Sequence, residues 1–455
     1  MNKDAHLFSM TYLVAGSLAA TEIEAEPYYG LKAQAGGSLL ARIFIVGGAG
    51  FIGQHIAGRL CAEGHEVAVS SRKTLDLGRD DEIRMRETLL GHKVVVNCAG
   101  VARENGVGTM ARVHGAGTIR LIRAAAAAGV KCFVHISALG VSSEGETNYQ
   151  RSKAVAEDFF NIFDPQGARL DWRVLRPSVV IGRGGASFDL QLALAVLPLV
   201  PSVGQGQWRI QPVHIDDLTE LVARLVEAAK GPRKLDVVGP DVITTNELST
   251  VLRDWLGLPA PKFFNAPTTL LKIGAAFAGR FTRLPLNSEL ITMLACGNTS
   301  DPAALTAALG RPPRKLGIAL ALQPACDADR IAARLYFLKS PLRWSIALLW
   351  IVSGFLSFGV YPVEKSYELL RELHLTGAPA ALALYGGATA DLLLGLLLLA
   401  RWRPVLVGLL QLAFLAAFTL LATGLPADNW LHPFAPLMKN LPIAAAILVM
   451  IALEA

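Results

Sequence analysis

The sequence predicts an α/β domain built on a doubly wound parallel sheet, followed by an all-α domain of four transmembrane helices. Three observations predict it. Apolar runs of strand length alternate with helix-length segments from residue 42 to about residue 217. The first run ends in Gly47-Gly48-Ala49-Gly50-Phe51-Ile52-Gly53, a glycine turn that opens a helical pattern. From Trp344 onward long, nearly uncharged apolar stretches dominate, which gives the chain its 52% hydrophobic content and positive mean hydropathy.

Taken in order, residues 1–40 read as a poorly ordered extension, or the product of an upstream start codon, in preference to a cleaved signal. Leu7–Ala20 has the apolar content of a short signal core, but one Lys and one Asp ahead of it make a poor positive leader. Strands are predicted at 42–46, 66–70, 93–97, 132–136, 172–176 and about 209–213. Helices fall between them, including Gly53–Glu63, Gly115–Ala128 and Tyr149–Phe163. Right-handed crossovers then leave a Rossmann-type arrangement. The α/β domain is predicted to span 41–335, with a small substrate lobe mainly in 218–335. There the alternation fades, a short strand falls near Leu235–Val238, and breaks occur at Gly257–Pro261 and Arg311–Pro313.

The membrane domain, 340–455, carries apolar stretches at about 343–361, 379–400, 404–424 and 439–453, each near the roughly twenty residues that span a bilayer. Arg330, Arg334, Lys339 and Arg343 precede the first, and Arg401 and Arg403 separate the second from the third. The segment 362–378 offsets Lys365 and Arg371 with three glutamates, and 425–438 has no Lys or Arg. The positive-inside rule therefore predicts a multi-pass protein of a bacterial-type inner membrane, with the α/β domain and both termini cytoplasmic.

Charge and composition exclude some classes. The net charge of +6 lies in residues 1–341, because 342–455 balances six basic residues (Arg343, Lys365, Arg371, Arg401, Arg403, Lys439) with six acidic ones (Glu364, Glu368, Glu372, Asp391, Asp428, Glu454). The excess is dispersed, with short clusters such as Arg311/Arg314/Lys315, so no nucleic-acid partner is predicted. The five cysteines are scattered and the nine histidines form no H-x-x-H or H-x₃-H cluster, so no metal is predicted.

The glycine turn is suited to a dinucleotide. Gly47 permits the tight turn, Gly50 lets the backbone approach a pyrophosphate, and Gly53 lets helix pack on strand. The helix start presents free N–H groups and a positive dipole to the phosphates. At the end of the second strand, Ser70-Ser71-Arg72-Lys73 offers no carboxylate to repel a 2′-phosphate, and Arg72 can pair with one. NADP is therefore the expected cofactor, with NAD as the alternative.

Tyr149-Gln150-Arg151-Ser152-Lys153 places Tyr149 and Lys153 at i and i+4 on one helical face. Ser137 lies just past strand 132–136, at the sheet edge where open α/β sites form. Moving a hydride to or from a carbinol carbon requires a proton to move on its oxygen. A tyrosine with its ordinary pKa of about 10 needs a neighbouring cation to serve near neutrality. The catalytic candidates are thus Tyr149 as acid/base, Lys153 as its cation and Ser137 as hydrogen-bond donor to the developing oxyanion.

Together these motifs resemble the extended or atypical short-chain dehydrogenases/reductases. Gly47–Gly53, Val94-Val95-Val96-Asn97-Cys98-Ala99-Gly100, Ser137, Tyr149/Lys153, Arg176-Pro177-Ser178 and His214-Ile215-Asp216-Asp217 follow that family's order over about 42–320. The resemblance implies an NAD(P)-binding Rossmann fold and a Ser–Tyr–Lys site. Cofactor contacts would come from Gly47, Gly50, Phe51, Ile52, Gly53, Ser71, Arg72, Asp76, Asn97, Ala99, Gly100 and Lys153, with Pro177 and Val179 near the nicotinamide. Asp76-Leu77 resembles the family's adenine-side Asp-Leu pair, and its alternative is a loop carboxylate. His114 stands where many extended members have Asn, so a relay through that Asn does not carry over. Its alternatives are a packed or solvated histidine and a functional one.

The subgroup most resembled includes the accessory dehydrogenase-like subunit of respiratory complex I. Residues 341–455 resemble the DoxX-like four-helix family through Leu349–Gly354, Asp391 and His432–Pro442. The leading expectation is a membrane-tethered NAD(P)-dependent oxidoreductase for an apolar substrate, lipid, isoprenoid or quinone-like. Leu190–Val203 and Thr268–Phe277 would complete its pocket. The rivals are a nucleotide-binding assembly or sensor subunit of a membrane complex, and a transport-linked protein acting through Asp391.

Overall fold

The computed structural model describes residues 41–71, 73–104, 106, 109–267, 269, 288–423 and 438–454; the expected N-terminal extension falls outside them. The described residues form two compact units, 41–334 and 335–454.

The first unit is organised by six parallel strands: β1 (Arg42–Val46), β2 (Glu66–Val69), β3 (Val94–Asn97), β4 (Cys132–Ile136), β5 (Asp171–Pro177) and β6 (Lys234–Val237). Their spatial order is β6-β5-β4-β3-β1-β2. Connecting helices are α1 (Phe51–Ala62), α2 (Glu82–Leu89), α3 (Thr118–Ala127, entered through a π turn at Ala111–Gly117) and α4 (Asn148–Phe163). The chain steps from β1 outward to β2 and then returns to β1's other side as β3. That reversal opens a crevice at the C-terminal ends of β1 and β3.

Side chains alternate across the pleat. Ile43 and Ile45 join Ile56 and Leu60 of α1 and Leu218 and Leu221 of α5 (Ile215–Glu227) on one face. Phe44 and Val46 join Met85 and Leu89 of α2, Leu121 and Ile122 of α3 and Phe160 of α4 on the other.

The expected strand at 209–213 is two short ones outside this sheet. Arg209–Ile210 pairs with Ile243–Thr244, and Val213–His214 pairs with Val180–Ile181. Pro212 has no N–H to continue a ladder, and Gln211 donates its side-chain amide to the Gly239 carbonyl (2.7 Å). The sheet's last strand is instead β6. The lobe core draws on Ile181, Phe188, Leu192 and Ile210, upstream of the expected 218 boundary, together with Leu248, Leu252 and Leu316. Helix α5, expected in the lobe, packs under the sheet.

In the second unit α6 (Lys339–Val360), α7 (Gly377–Leu399) and α8 (Pro404–Ala422) are each long and apolar enough to cross a membrane. The fourth expected span appears as α9 (Asn440–Glu454). Its 15 residues rise about 22 Å, short of a roughly 30 Å hydrocarbon core, and 424–437 lie outside the described residues. Most of His432–Pro442 shares that position. Gly354 and Gly395 let α6 and α7 approach: a Cβ at Gly354 would sit 2.6 Å from the Ala388 carbonyl oxygen, and one at Gly395 2.9 Å from that of Ala347. Trp350, Leu398, Val407, Ile447 and Met450 fill the core, while Leu348, Leu393, Leu409 and Leu448 face outward. Glu454 accepts from Arg343 (2.5 Å) and Arg401 (3.3 Å). Asp391 is half-buried within α7.

Candidate functional site

At the β1 end, Gly47 adopts φ +73° and donates its N–H to Ser70 Oγ (3.0 Å). A Cβ there would lie 2.7 Å from the Ala99 backbone, so the β1 and β3 ends meet this closely only with glycine. A Cβ at Gly53 would lie 2.6 Å from the Gly47 carbonyl oxygen. Gly50 is different: it is exposed, and a Cβ would meet only the Gly47 oxygen, at 3.2 Å. Its empty side faces outward, where a ligand backbone can approach. No side chain caps α1, so the Phe51, Ile52 and Gly53 amides are available to an anion. These features fit a dinucleotide pyrophosphate.

Asn97 holds the facing turn. Its Oδ1 accepts the Ala99 N–H (3.1 Å), and its Nδ2 lies 3.2 Å from His135 Nδ1. Ser71 is tied into a local turn, its N–H donating to Thr74 Oγ1 (2.9 Å) and its Oγ accepting from the Lys73 N–H (3.2 Å). Arg72 lies outside the described residues. Asp76 Oδ1 accepts the Gly78 N–H (2.8 Å). Pro177 and Val179 stand at the C-terminal end of β5, accepting from the Leu139 and Val213 amides. Of Thr268–Phe277, only Thr269 is described.

Helix α4 starts with a capping box between Thr147 and Gln150. Glu289, from the lobe, accepts the N–H groups of Asn148 (3.2 Å) and Tyr149 (3.3 Å). Lys153 is buried. Its Nζ donates to the Ile136 carbonyl at the end of β4 (3.0 Å) and lies 5.4 Å from the Tyr149 ring centre. A Cβ at Gly100 would lie 3.9 Å from Lys153 Nζ, which links the lysine to the β3 end of the crevice. Tyr149, Lys153 and the glycine-lined crevice therefore share the C-terminal edge of the sheet.

Ser137, the expected oxyanion donor, has a partner within the fold. Its hydroxyl donates to Glu157 Oε1 (2.5 Å), and Glu157 is 1% exposed. That carboxylate also accepts from Arg176 Nε (2.9 Å) and lies 3.6 Å from Lys234 Nζ. Glu157 sits two turns beyond Tyr149, about 12 Å along α4. In this structure the Ser137 proton is engaged by this ion cluster. Glu157 was missed, although its i+4 spacing from Lys153 was available.

His114 is buried and hydrogen-bonded beside Tyr149. Its Nε2 accepts the Val101 N–H (2.9 Å), which places the ring proton on Nδ1. Nδ1 donates to Ser152 Oγ (2.9 Å), whose hydroxyl donates to the Tyr149 carbonyl (3.0 Å). The ring meets Tyr149 edge-to-face at 5.3 Å. Burial, aided by the Lys153 charge, lowers its pKa to about 3. Burial likewise holds His135 well below its usual value.

Because both folded pKa values are lowered, the unfolded chain takes up these protons first as pH falls. Stability is full above about pH 6.5 and declines below it, by up to about 1.4 kcal/mol per pH unit for each histidine. For His114 the decline continues toward pH 3. Thermal unfolding at pH 7, 6 and 5 checks this: the wild-type midpoint falls, and His114→Asn flattens the fall.

Residues 43–238 match the NAD dependent epimerase/dehydratase family, and residues 347–448 match the DoxX-like family. The protein thus joins an epimerase-type, NAD-dependent short-chain dehydrogenase/reductase domain to a DoxX-like domain. Among curated relatives, it is 26% identical over 226 residues to the ceramide reductase of Caulobacter vibrioides (47% of this chain, 65% of that protein). It is 26% identical over 249 residues to NADH dehydrogenase (ubiquinone) 1 alpha subcomplex subunit 9, mitochondrial, of Dictyostelium discoideum (50% and 66%). It is 29% identical over 256 residues to epimerase family protein SDR39U1 of Mus musculus (51% and 85%). The chain spans just under two thirds of the first two. Similar solved structures include MoeE5 with UDP-glucuronic acid and NAD (TM-score 0.47, 22% identity, 62% of this chain and 96% of that one). Thermus thermophilus UDP-glucose 4-epimerase with NAD is another (0.47, 22%, 62% and 97%).

Proposed function

We propose that this protein is a membrane-tethered NAD(P)-dependent oxidoreductase acting on the alcohol or carbonyl carbon of an apolar, lipid-like substrate. The observation that carries the reading is Tyr149 and Lys153 together at the crevice edge, with the lysine 5.4 Å from the phenol ring. When bound, the dinucleotide supplies or takes the hydride. The α1 amides hold its pyrophosphate, and Lys153 orients its ribose while favouring phenolate at Tyr149. Tyr149 gives a proton to the carbonyl oxygen on reduction, or removes one from the alcohol on oxidation. With Ser137 held by Glu157, Tyr149 is the principal hydrogen-bond donor to the substrate oxygen.

An apolar substrate is supported by the three apolar helices and by the relative named ceramide reductase. The test is NADPH oxidation by the detergent-solubilised protein across a panel of lipid carbonyls and quinones. Consumption that disappears in Tyr149→Phe supports the enzyme. Tight NADPH binding without consumption favours a nucleotide-binding subunit of a membrane complex. Two observations support that second reading: the occupied Ser137 and the NADH dehydrogenase relative.

NADP preference rests on Ser70–Lys73. Arg72→Ala is expected to weaken NADPH by about 1.5–3 kcal/mol and leave NADH nearly unchanged. Equal losses in parallel titrations would remove the assignment. The proposed location is a bacterial-type inner membrane with both termini cytoplasmic. A reporter fused after Ala455 is expected inside, and a tag in 429–432 accessible from outside; an outside C-terminus would mean that α9 does not complete a crossing.

A further inference from the structure

At the N-terminal edge of the sheet, opposite the crevice, three side chains from separate elements converge. Glu63 is the C-cap of α1, His65 immediately precedes β2, and Glu227 is the last residue of α5. One ligand atom from each lies within 4.8 Å of the other two. His65 is 7% exposed, and its Nε2 is buried without a hydrogen-bond partner while lying 3.5 Å from Glu227 Oε1. The Glu227 side chain is 55% exposed, so water can complete a coordination shell.

The electrostatics favour a cation. The carboxyl ends of α1 and α5 both point here, each carrying the partial negative charge of a helix C-terminus. Two carboxylates add to it. The nearby cation is Arg59, which engages Glu63 Oε1 (2.5 Å). That pair neutralises one carboxylate and leaves Glu227 and the helix ends facing a buried imidazole nitrogen.

We propose that Glu63, His65 and Glu227 form a site for a divalent transition metal of the zinc class. Two ligands each about 2.1 Å from a tetrahedral ion lie about 3.4 Å apart, close to the His65–Glu227 separation. One imidazole with two carboxylates suits zinc better than magnesium or calcium, which take oxygen shells. Uptake requires a free Nε2 lone pair, so the ring proton must sit on Nδ1. The Ala41 N–H now donates to Nδ1 at 3.4 Å, a long contact, so uptake on Nε2 also requires Ala41 or the ring to shift until the two N–H groups no longer face each other. The ion would staple α1, β2 and α5 at the base of the sheet and stabilise the fold by binding it in preference to the unfolded chain. The inference is independent of the oxidoreductase reading, because the site lies at the edge away from Tyr149. Sequence spacing could not reveal it, since Glu227 is remote in the chain.

The test uses the full chain in detergent, stripped by chelator and titrated with Co(II), then with Zn(II) as competitor. The expected result is one saturable equivalent with tetrahedral d–d bands and no thiolate charge-transfer band. Zn(II) should displace it and raise the melting temperature, whereas Mg(II) should not. Glu227→Gln, on an exposed side chain, should weaken binding at least about ten-fold, and His65→Ala should abolish it. Arg59→Ala should tighten it by removing the competing cation. Should His65→Ala fail to fold, Glu227→Gln carries the test alone. Absence of stoichiometric binding, a thiolate-dominated spectrum, or affinity unchanged by Glu227→Gln overturns the proposal.

Discussion

Tyr149→Phe is expected to lower turnover by about 10²–10⁴-fold while leaving nucleotide affinity and melting temperature unchanged. The substitution removes the oxygen proposed to exchange a proton with substrate and little else. The ring keeps its edge contact with His114, and the backbone keeps its bonds to Ser152 and Glu289. Lys153→Ala should behave differently. The buried Nζ bonds the Ile136 carbonyl, so its loss leaves that oxygen unsatisfied and lowers stability by about 1–3 kcal/mol, along with nucleotide affinity and turnover. Paired titration and turnover measurements on the two variants separate proton transfer from cofactor binding.

Glu157→Ala should cost stability more than any other single change at this edge. It would leave Arg176 half-buried without its bidentate partner and strand the Ser137 hydroxyl. Breaking a buried pair from one side costs about 3–5 kcal/mol; the 26% exposure of Arg176 argues for the lower end, about 3 kcal/mol. Chemical unfolding of the α/β unit measures it. Ser137→Ala is the informative companion. A serine that serves Glu157 should lose stability and activity together. Native stability with lost turnover would instead return Ser137 to the role of oxyanion donor.

The sequence carried the sheet well where the physics is local. The β1–turn–α1 signal, the alternating apolar runs and the i, i+4 spacing of Tyr149 and Lys153 depend on neighbours a few residues apart, and each appears where periodicity places it. The 209–213 strand was misplaced because Pro212 splits it, and its pairing partners are remote in sequence. The Ser137–Glu157 contact was not legible for a related reason: which acceptor a hydroxyl finds depends on a helix packed across the sheet edge. The partners of His114, the Val101 amide among them, are likewise contacts that spacing does not encode. Helix α9 reads as a span by hydropathy, and its 15 residues match the length of the expected stretch 439–453, but both fall short of the roughly twenty residues that cross a bilayer.

The central claim is that hydride moves at the edge shared by Tyr149 and Lys153. It is tested most directly with NADPH deuterated at nicotinamide C4, one face at a time, incubated with the purified full-length protein and a lipid carbonyl. The account predicts deuterium on the product carbinol carbon from one face only, with transfer lost in Tyr149→Phe. Saturable NADPH binding with no deuterium on the carbinol carbon of any product across the lipid carbonyl panel would contradict it.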